Sequence, residues 1–103
     1  MSGNMRRSRL FISQPMLNKS DEMIKAEREE LVNRLKDRYE IIDSMIAETA
    51  PETSAQGAWY LGKAIQLLSQ ADYAYFMDGW QDARGSRIEH EVAKQYHIKI
   101  VND

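Results

Sequence analysis

The 103-residue sequence contains no cysteine, which excludes disulfides, thiolate metal ligands and thiol catalysis. Histidine is nearly absent too: with only His90 and His97, a zinc site would have to be built mainly from carboxylates, an unusual donor set, and no metal is expected. No apolar run approaches the roughly 18 residues that span a bilayer, and the first ten residues carry a basic cluster without the apolar core of a secretory signal. Charge of neither sign forms a block. The 14 basic and 16 acidic residues are interspersed, for a net charge of -2, so nothing favours nonspecific binding to a nucleic-acid polymer or a membrane. A soluble, cytoplasmic protein is expected, and 103 residues suffice for one core but not two.

Met1 to Ser8 is polar and basic, and is read as a flexible segment before a single domain over 9–103. Arg9 to Ser13 is a short apolar run closed by Gln14 and Pro15, which suits a buried strand ending at a loop. Ser20 followed by Asp21 and Glu22 signals a helix start, and Ile24, Leu31, Val32 and Leu35 recur at helical spacing as far as about Arg38. Glu40 to Ser44 is a second short strand. Met45 to Gly57 lacks a period and is long for a connection in a compact domain, as functional loops often are. Trp59 to Ser69 returns to helical spacing, and Ala71 to Phe76 is a third strand. After the loop Met77 to Arg84, a helix from Gly85 and Ser86 to Tyr96 places Ile88, Val92 and Tyr96 on one stripe, and His97 to Val101 closes as a fourth strand.

Strands alternating with helices predict an α/β, flavodoxin- or Rossmann-like domain: a four-stranded parallel sheet of order 2-1-3-4 flanked by helices. In that order the chain reverses between strands one and three, where a crevice opens at the carboxyl ends. Ser13, Gln14 and Met16, Asp43, the loop with Gly79 and Trp80, and the start of the last helix converge there. Glu89, placed one turn into that helix near free backbone N–H groups that favour its ionised form, is the candidate catalytic residue. A carboxylate there can attack an electrophilic sugar carbon, or it can simply complement the helix dipole. Arg84 and Arg87, with the N–H groups of Gly85 and Ser86, can hold a phosphate or pair with nearby acids. Trp80 can stack on a base or cover the pocket, as can Trp59 and Tyr60, with packing or a dimer interface the role of at least one of these two, and Met16 and Met77 line pocket or core. The repeated glycines of a dinucleotide fingerprint or P-loop are missing, so no cofactor is expected.

Phe11 to Met16 (Phe-Ile-Ser-Gln-Pro-Met), Lys19, Ile42 to Ser44, Trp59 to Lys63, Ala71-Asp72, Gly79-Trp80 and Ala83 to Glu91 resemble a family of small phage and bacterial proteins that is similar to the nucleoside 2-deoxyribosyltransferases. The second likeness rests on the Ala-Asp strand and on a glycine followed four residues later by glutamate, Gly85 and Glu89. It implies that Glu89 attacks the anomeric carbon of a 2-deoxyribonucleoside or nucleotide and expels the base, leaving a glycosyl-enzyme resolved by a second base or by water. A non-catalytic nucleotide-binding module of the same fold is the alternative. The likeness also implies a homo-oligomer with sites completed between subunits, and phosphate contacts from Arg84, Arg87 or Lys19 if the substrate is a monophosphate. Departures are local: Ala83 stands where the transferases usually have aspartate, with Asp82 displaced by one, and Phe11 stands in place of a first-strand tyrosine. A further aspartate has no match near Lys63 or Ala64, and four strands are read where the transferases typically have five.

Overall fold

A computed structural model describes residues 7–52 and 55–102. Four strands, β1 (Arg9–Ser13), β2 (Glu40–Ile41), β3 (Tyr73–Phe76) and β4 (Lys99–Val101), form one sheet of order β2-β1-β3-β4. Every pairing is parallel, as βαβ crossovers require. The helices are α1 (Asp21–Leu35), α2 (Gln56–Leu68) and α3 (Arg84–Gln95), and none is long and apolar enough to cross a membrane.

Alternation along the two central strands builds a core on each face of the sheet. Leu10 and Ile12 of β1 pack with Leu31 and Leu35 of α1, and Tyr73 and Tyr75 of β3 lie against that cluster. Phe11, Ala74 and Phe76 point the other way, onto Leu68 of α2 and Ala93 of α3. The start of the β1–β3 register is pinned at Asp72, whose carboxylate accepts the Arg9 N–H at 2.8 Å while its own N–H donates to the Arg9 carbonyl at 2.9 Å.

Several boundaries differ from expectation for identifiable reasons. β2 is shorter than Glu40 to Ser44 because the Asp43 carboxylate accepts the Met45 N–H at 3.1 Å and turns the chain. Ser44 still rests on the sheet, donating its hydroxyl to the Ile12 carbonyl at 3.3 Å. α2 begins at Gln56, three residues before Trp59, and the loop ahead of it is tied down: Ala50 is buried and donates its N–H to the Tyr60 hydroxyl at 3.1 Å. β4 begins at Lys99 because His97 takes a left-handed turn, with φ 62°. Of the segment read as preceding the domain, residues 1–6 lie outside the described residues, as does the final position of 9–103. Ser8 meets the sheet edge, accepting the Glu40 N–H at 2.9 Å.

The last helix differs in a way that bears on function. α3 starts at Arg84, which puts Glu89 in its second turn, beyond the free N–H groups of the helix start. Dipole complementation therefore does not account for this acid. The buried stripe is Ser86, Glu89 and Ala93, offset from the expected Ile88, Val92 and Tyr96. Ile88 is 40% exposed and Tyr96 75%, while Glu89 is 8% exposed. The small side chains of Ser86 and Ala93 let the helix lie close to the sheet, and Val92 packs at the edge of the same core.

Candidate functional site

β1 and β3 are neighbours whose following connections leave in opposite directions, and the crevice at their carboxyl ends is the usual ligand position in open α/β sheets. Ser13, the last residue of β1, is buried there. Its hydroxyl donates to Glu89 Oε1 at 2.6 Å and lies 2.8 Å from the Ser86 hydroxyl. A hydroxyl carries one proton, so with Ser13 donating to Glu89 the Ser86 hydroxyl supplies the proton between the serines. The relay runs Ser86 to Ser13 to Glu89 Oε1. Glu89 Oε2 has no hydrogen-bond partner among the described residues.

Burial holds the Glu89 carboxyl above the ordinary carboxylate value of 4.5, and the Ser13 hydrogen bond works against that rise. The expectation that helix N–H groups favour the ionised form is thus corrected: desolvation dominates, and a single hydroxyl opposes it.

Glu89 lines a cavity of about 430 Å³, within the range of small-molecule sites. Phe11, Ala83, Gly85 and Ser86 surround the carboxylate's side, Tyr60, Leu61 and Ala64 of α2 form one wall, and Gln14, Met16 and Arg28 lie on the approach from α1. Gln14 is oriented by its amide nitrogen, which donates to the Ile24 carbonyl at 2.8 Å and to Glu27 at 3.4 Å. Its Oε1 is buried without a partner among the described residues, an acceptor available to a ligand hydroxyl or N–H.

Of the residues singled out from sequence, Gln14, Met16, Gly85, Ser86 and Glu89 line this cavity, with Ser13 directly behind Glu89. The others lie elsewhere. Asp43 is exposed and closes its own turn. Gly79, at φ 91°, allows the tight turn into a 3-10 segment at Trp80–Asp82 that no other residue type enters without strain. Trp80 stacks on His90 with centroids 4.0 Å apart and packs beside Phe76, so its ring serves the core and not the cavity. Arg84 and Arg87 border an adjoining depression with Leu17 and Ile88, where Arg87 donates to the Gln81 carbonyl at 3.0 Å. Lys19 pairs with Glu27 at 2.9 Å. Met77 packs against the α1-side core.

Arg28 is the lining residue that the sequence reading passed over. It occupies the helical stripe of Ile24, Leu31, Val32 and Leu35 as a lone charge, and such an interruption of an apolar face is a legible signal. Tyr60, one of the aromatics read as able to stack on a base or cover the pocket, lines the cavity, while Leu61 and Ala64 carry no mark comparable to that of Arg28. Among the described residues, no three histidine or carboxylate side chains come together as a metal site would need.

A family profile described as a domain of unknown function (DUF4406) matches residues 9–102, and the chain belongs to that family. No curated protein and no solved structure matches it.

Proposed function

For this member of the DUF4406 family, we propose an N-glycosidic enzyme that acts on 2-deoxyribonucleosides or their nucleotides, with Glu89 as nucleophile. The observation that carries the reading is a carboxylate 8% exposed, held through Oε1 by Ser13, whose unbonded Oε2 belongs to a residue lining a ligand-sized cavity. Ionised Glu89 attacks C1′ of the sugar. A C–O bond forms, the C1′–N bond breaks, and its electron pair leaves with the base, which takes a proton from solvent. Water or a second base then attacks C1′ and returns the carboxylate, so hydrolysis and transfer share their first half. The unpartnered Gln14 Oε1 suits a sugar hydroxyl or a base N–H. The sequence resemblance to the nucleoside 2-deoxyribosyltransferases supports the same assignment. Exposed Leu17 and Ile88 beside the adjoining depression support self-association, which in this reading completes the site.

The test is chromatography of 2′-deoxynucleosides and their 5′-monophosphates incubated with the protein. Free base is expected from the wild type and none from Glu89→Gln; continued turnover by that variant would sink the proposal. A second reading, a nucleotide-binding module without turnover, is favoured by Phe11 and Ala83, which line the cavity where the resemblance implies a hydroxyl and a carboxylate. Thermal stabilisation by a ligand that is recovered unchanged is the outcome expected of such a module.

A further inference from the structure

Among the described residues, Arg28 is the only cationic side chain lining the cavity that holds Glu89. It belongs to α1, which packs on the face of the sheet opposite to that of α3, and is partly buried. Its contacts within the protein are weak. One guanidinium nitrogen reaches the Ile42 carbonyl at 3.5 Å, the outer limit of a hydrogen bond, and no carboxylate lies within the 4.0 Å of an ion pair among the described residues. The neighbouring acid, Asp43, acts on it only through space and is engaged with the Met45 N–H. Burial weakens its hold on its proton, the sign of a charge that has lost water and gained little in exchange. Most of its five N–H donors have no partner among the described residues.

The basic groups singled out from sequence are committed or turned away. Lys19 holds Glu27, Arg87 holds the Gln81 carbonyl, and Arg84 borders the adjoining depression. A planar guanidinium with donors to spare, lining a cavity whose one anionic group among the described residues is reserved for chemistry in this reading, matches a phosphate that it can grip through two parallel hydrogen bonds.

We infer that Arg28 binds the 5′-phosphate of the substrate, making this a site for 2′-deoxynucleoside 5′-monophosphates in preference to nucleosides. This rests on the assignment of Glu89's cavity as a nucleoside-type site. Arg28 and Glu89 then bracket the ligand: the phosphate docks at the α1 wall and C1′ faces the α3 wall.

The experiment measures kcat/KM for the four 2′-deoxynucleosides and their 5′-monophosphates, with wild type, Arg28→Gln and Arg28→Lys. Loss of a charge-assisted phosphate contact is worth on the order of tenfold or more. The wild type is expected to favour the monophosphate by at least that ratio, Arg28→Gln to bring the ratio close to one, and Arg28→Lys, which keeps the charge but not the fork, to fall between. Equal use of both substrate classes by the wild type, or a preference that survives Arg28→Gln, overturns the inference while leaving the glycosidic reading intact. If no base is released from any substrate, the glycosidic reading fails and thermal shift with the same compounds decides on Arg28. Stabilisation by monophosphates alone that Arg28→Gln abolishes sustains its role, and stabilisation unaffected by the substitution, or absent altogether, ends it. Should Arg28→Gln fail to fold, Arg28→Lys carries the comparison, and an undiminished preference in it counts against phosphate gripping by the fork.

Discussion

Replacing Ser13 by alanine removes one oxygen atom from the end of β1, and the consequences can be worked from the geometry. The lost contact is the 2.6 Å hydrogen bond to Glu89 Oε1, made between two buried groups. Hydrogen bonds to charged groups contribute roughly 1.5–3 kcal/mol, so the ionised carboxylate loses about that much, equivalent to roughly 10- to 100-fold in a rate that depends on it. Burial is left unopposed, and the Glu89 carboxyl moves further above its ordinary value. The acid limb of the kcat/KM profile for base release, which reports the free enzyme, therefore shifts to higher pH in Ser13→Ala. A carboxyl that binds its proton more tightly folded than unfolded costs nothing below 4.5 and costs stability as pH rises through its folded value. The Tm deficit of Ser13→Ala is thus small in acid and largest near neutrality. Ser86→Ala is the internal control, because it leaves the Ser13 to Glu89 bond intact and removes only the next link of the relay. It should shift the limb less. An acid limb that stays put or moves to lower pH in Ser13→Ala, or moves more in Ser86→Ala, refutes the orientation of Glu89 by Ser13.

Glu89→Gln should raise Tm even as it ends base release, since glutamine keeps the acceptor for Ser13 and does not titrate. The Tm difference from wild type should open as pH rises from 4.5 and level off above the folded value; a difference that closes with rising pH would contradict the desolvated carboxylate. Gly85→Ala tests the wall. A methyl there meets only Leu61 Cδ1, at an ordinary 3.9 Å, and alanine in a helix is favoured over glycine by about 0.5–1 kcal/mol. Thermal denaturation should therefore show a gain of several degrees, roughly 4–8 °C per kcal/mol in a domain of this size, while the narrowed cavity raises KM. An unchanged KM would remove Gly85 from the ligand's path.

The architecture was legible because its signals are local. Alternation of Leu10 and Ile12 with Phe11 marks a strand buried on both faces, Ser20 caps α1 by accepting the Met23 N–H at 3.1 Å, and the strand–helix rhythm yields the order β2-β1-β3-β4. What escaped depends on tertiary contact. The rotation of α3 is set by how closely Ser86 and Ala93 approach the sheet, so an apolar stripe read through Ile88 and Tyr96 chose the wrong face. The bond from Ser13 to Glu89 joins residues 76 positions apart, and no local pattern announces it. Trp80 looked available to a ligand because it sits in a polar loop, but the turn at Gly79 folds its ring onto His90. Arg28 differs from these. Its place on the stripe of α1 was visible, and reading only the apolar members hid it.

Three groups held at a cost to stability line one cavity: the desolvated Glu89, the guanidinium of Arg28 without an ion pair among the described residues, and the buried Oε1 of Gln14, likewise without a donor. Away from the cavity, several charges are paired. Lys19 meets Glu27, Arg34 meets Glu30, and Arg9, whose Nε has no hydrogen bond, lies 3.5 Å from the Glu40 carboxylate. Three such groups gathered around one space describe what that space is short of, since strain persists where function uses it. On the proposed function, the missing complement is a hydrogen-bond donor at Gln14, an anion at Arg28 and an electrophilic carbon at Glu89. A deoxynucleoside monophosphate supplies all three from its sugar hydroxyl, its phosphate and its C1′. Such a ligand should therefore raise Tm with increasing concentration, as mass action requires of anything that binds only the folded state, and Arg28→Gln and Gln14→Ala should each reduce that rise. A rise that neither substitution alters would place the ligand outside this cavity and detach the three groups from its recognition.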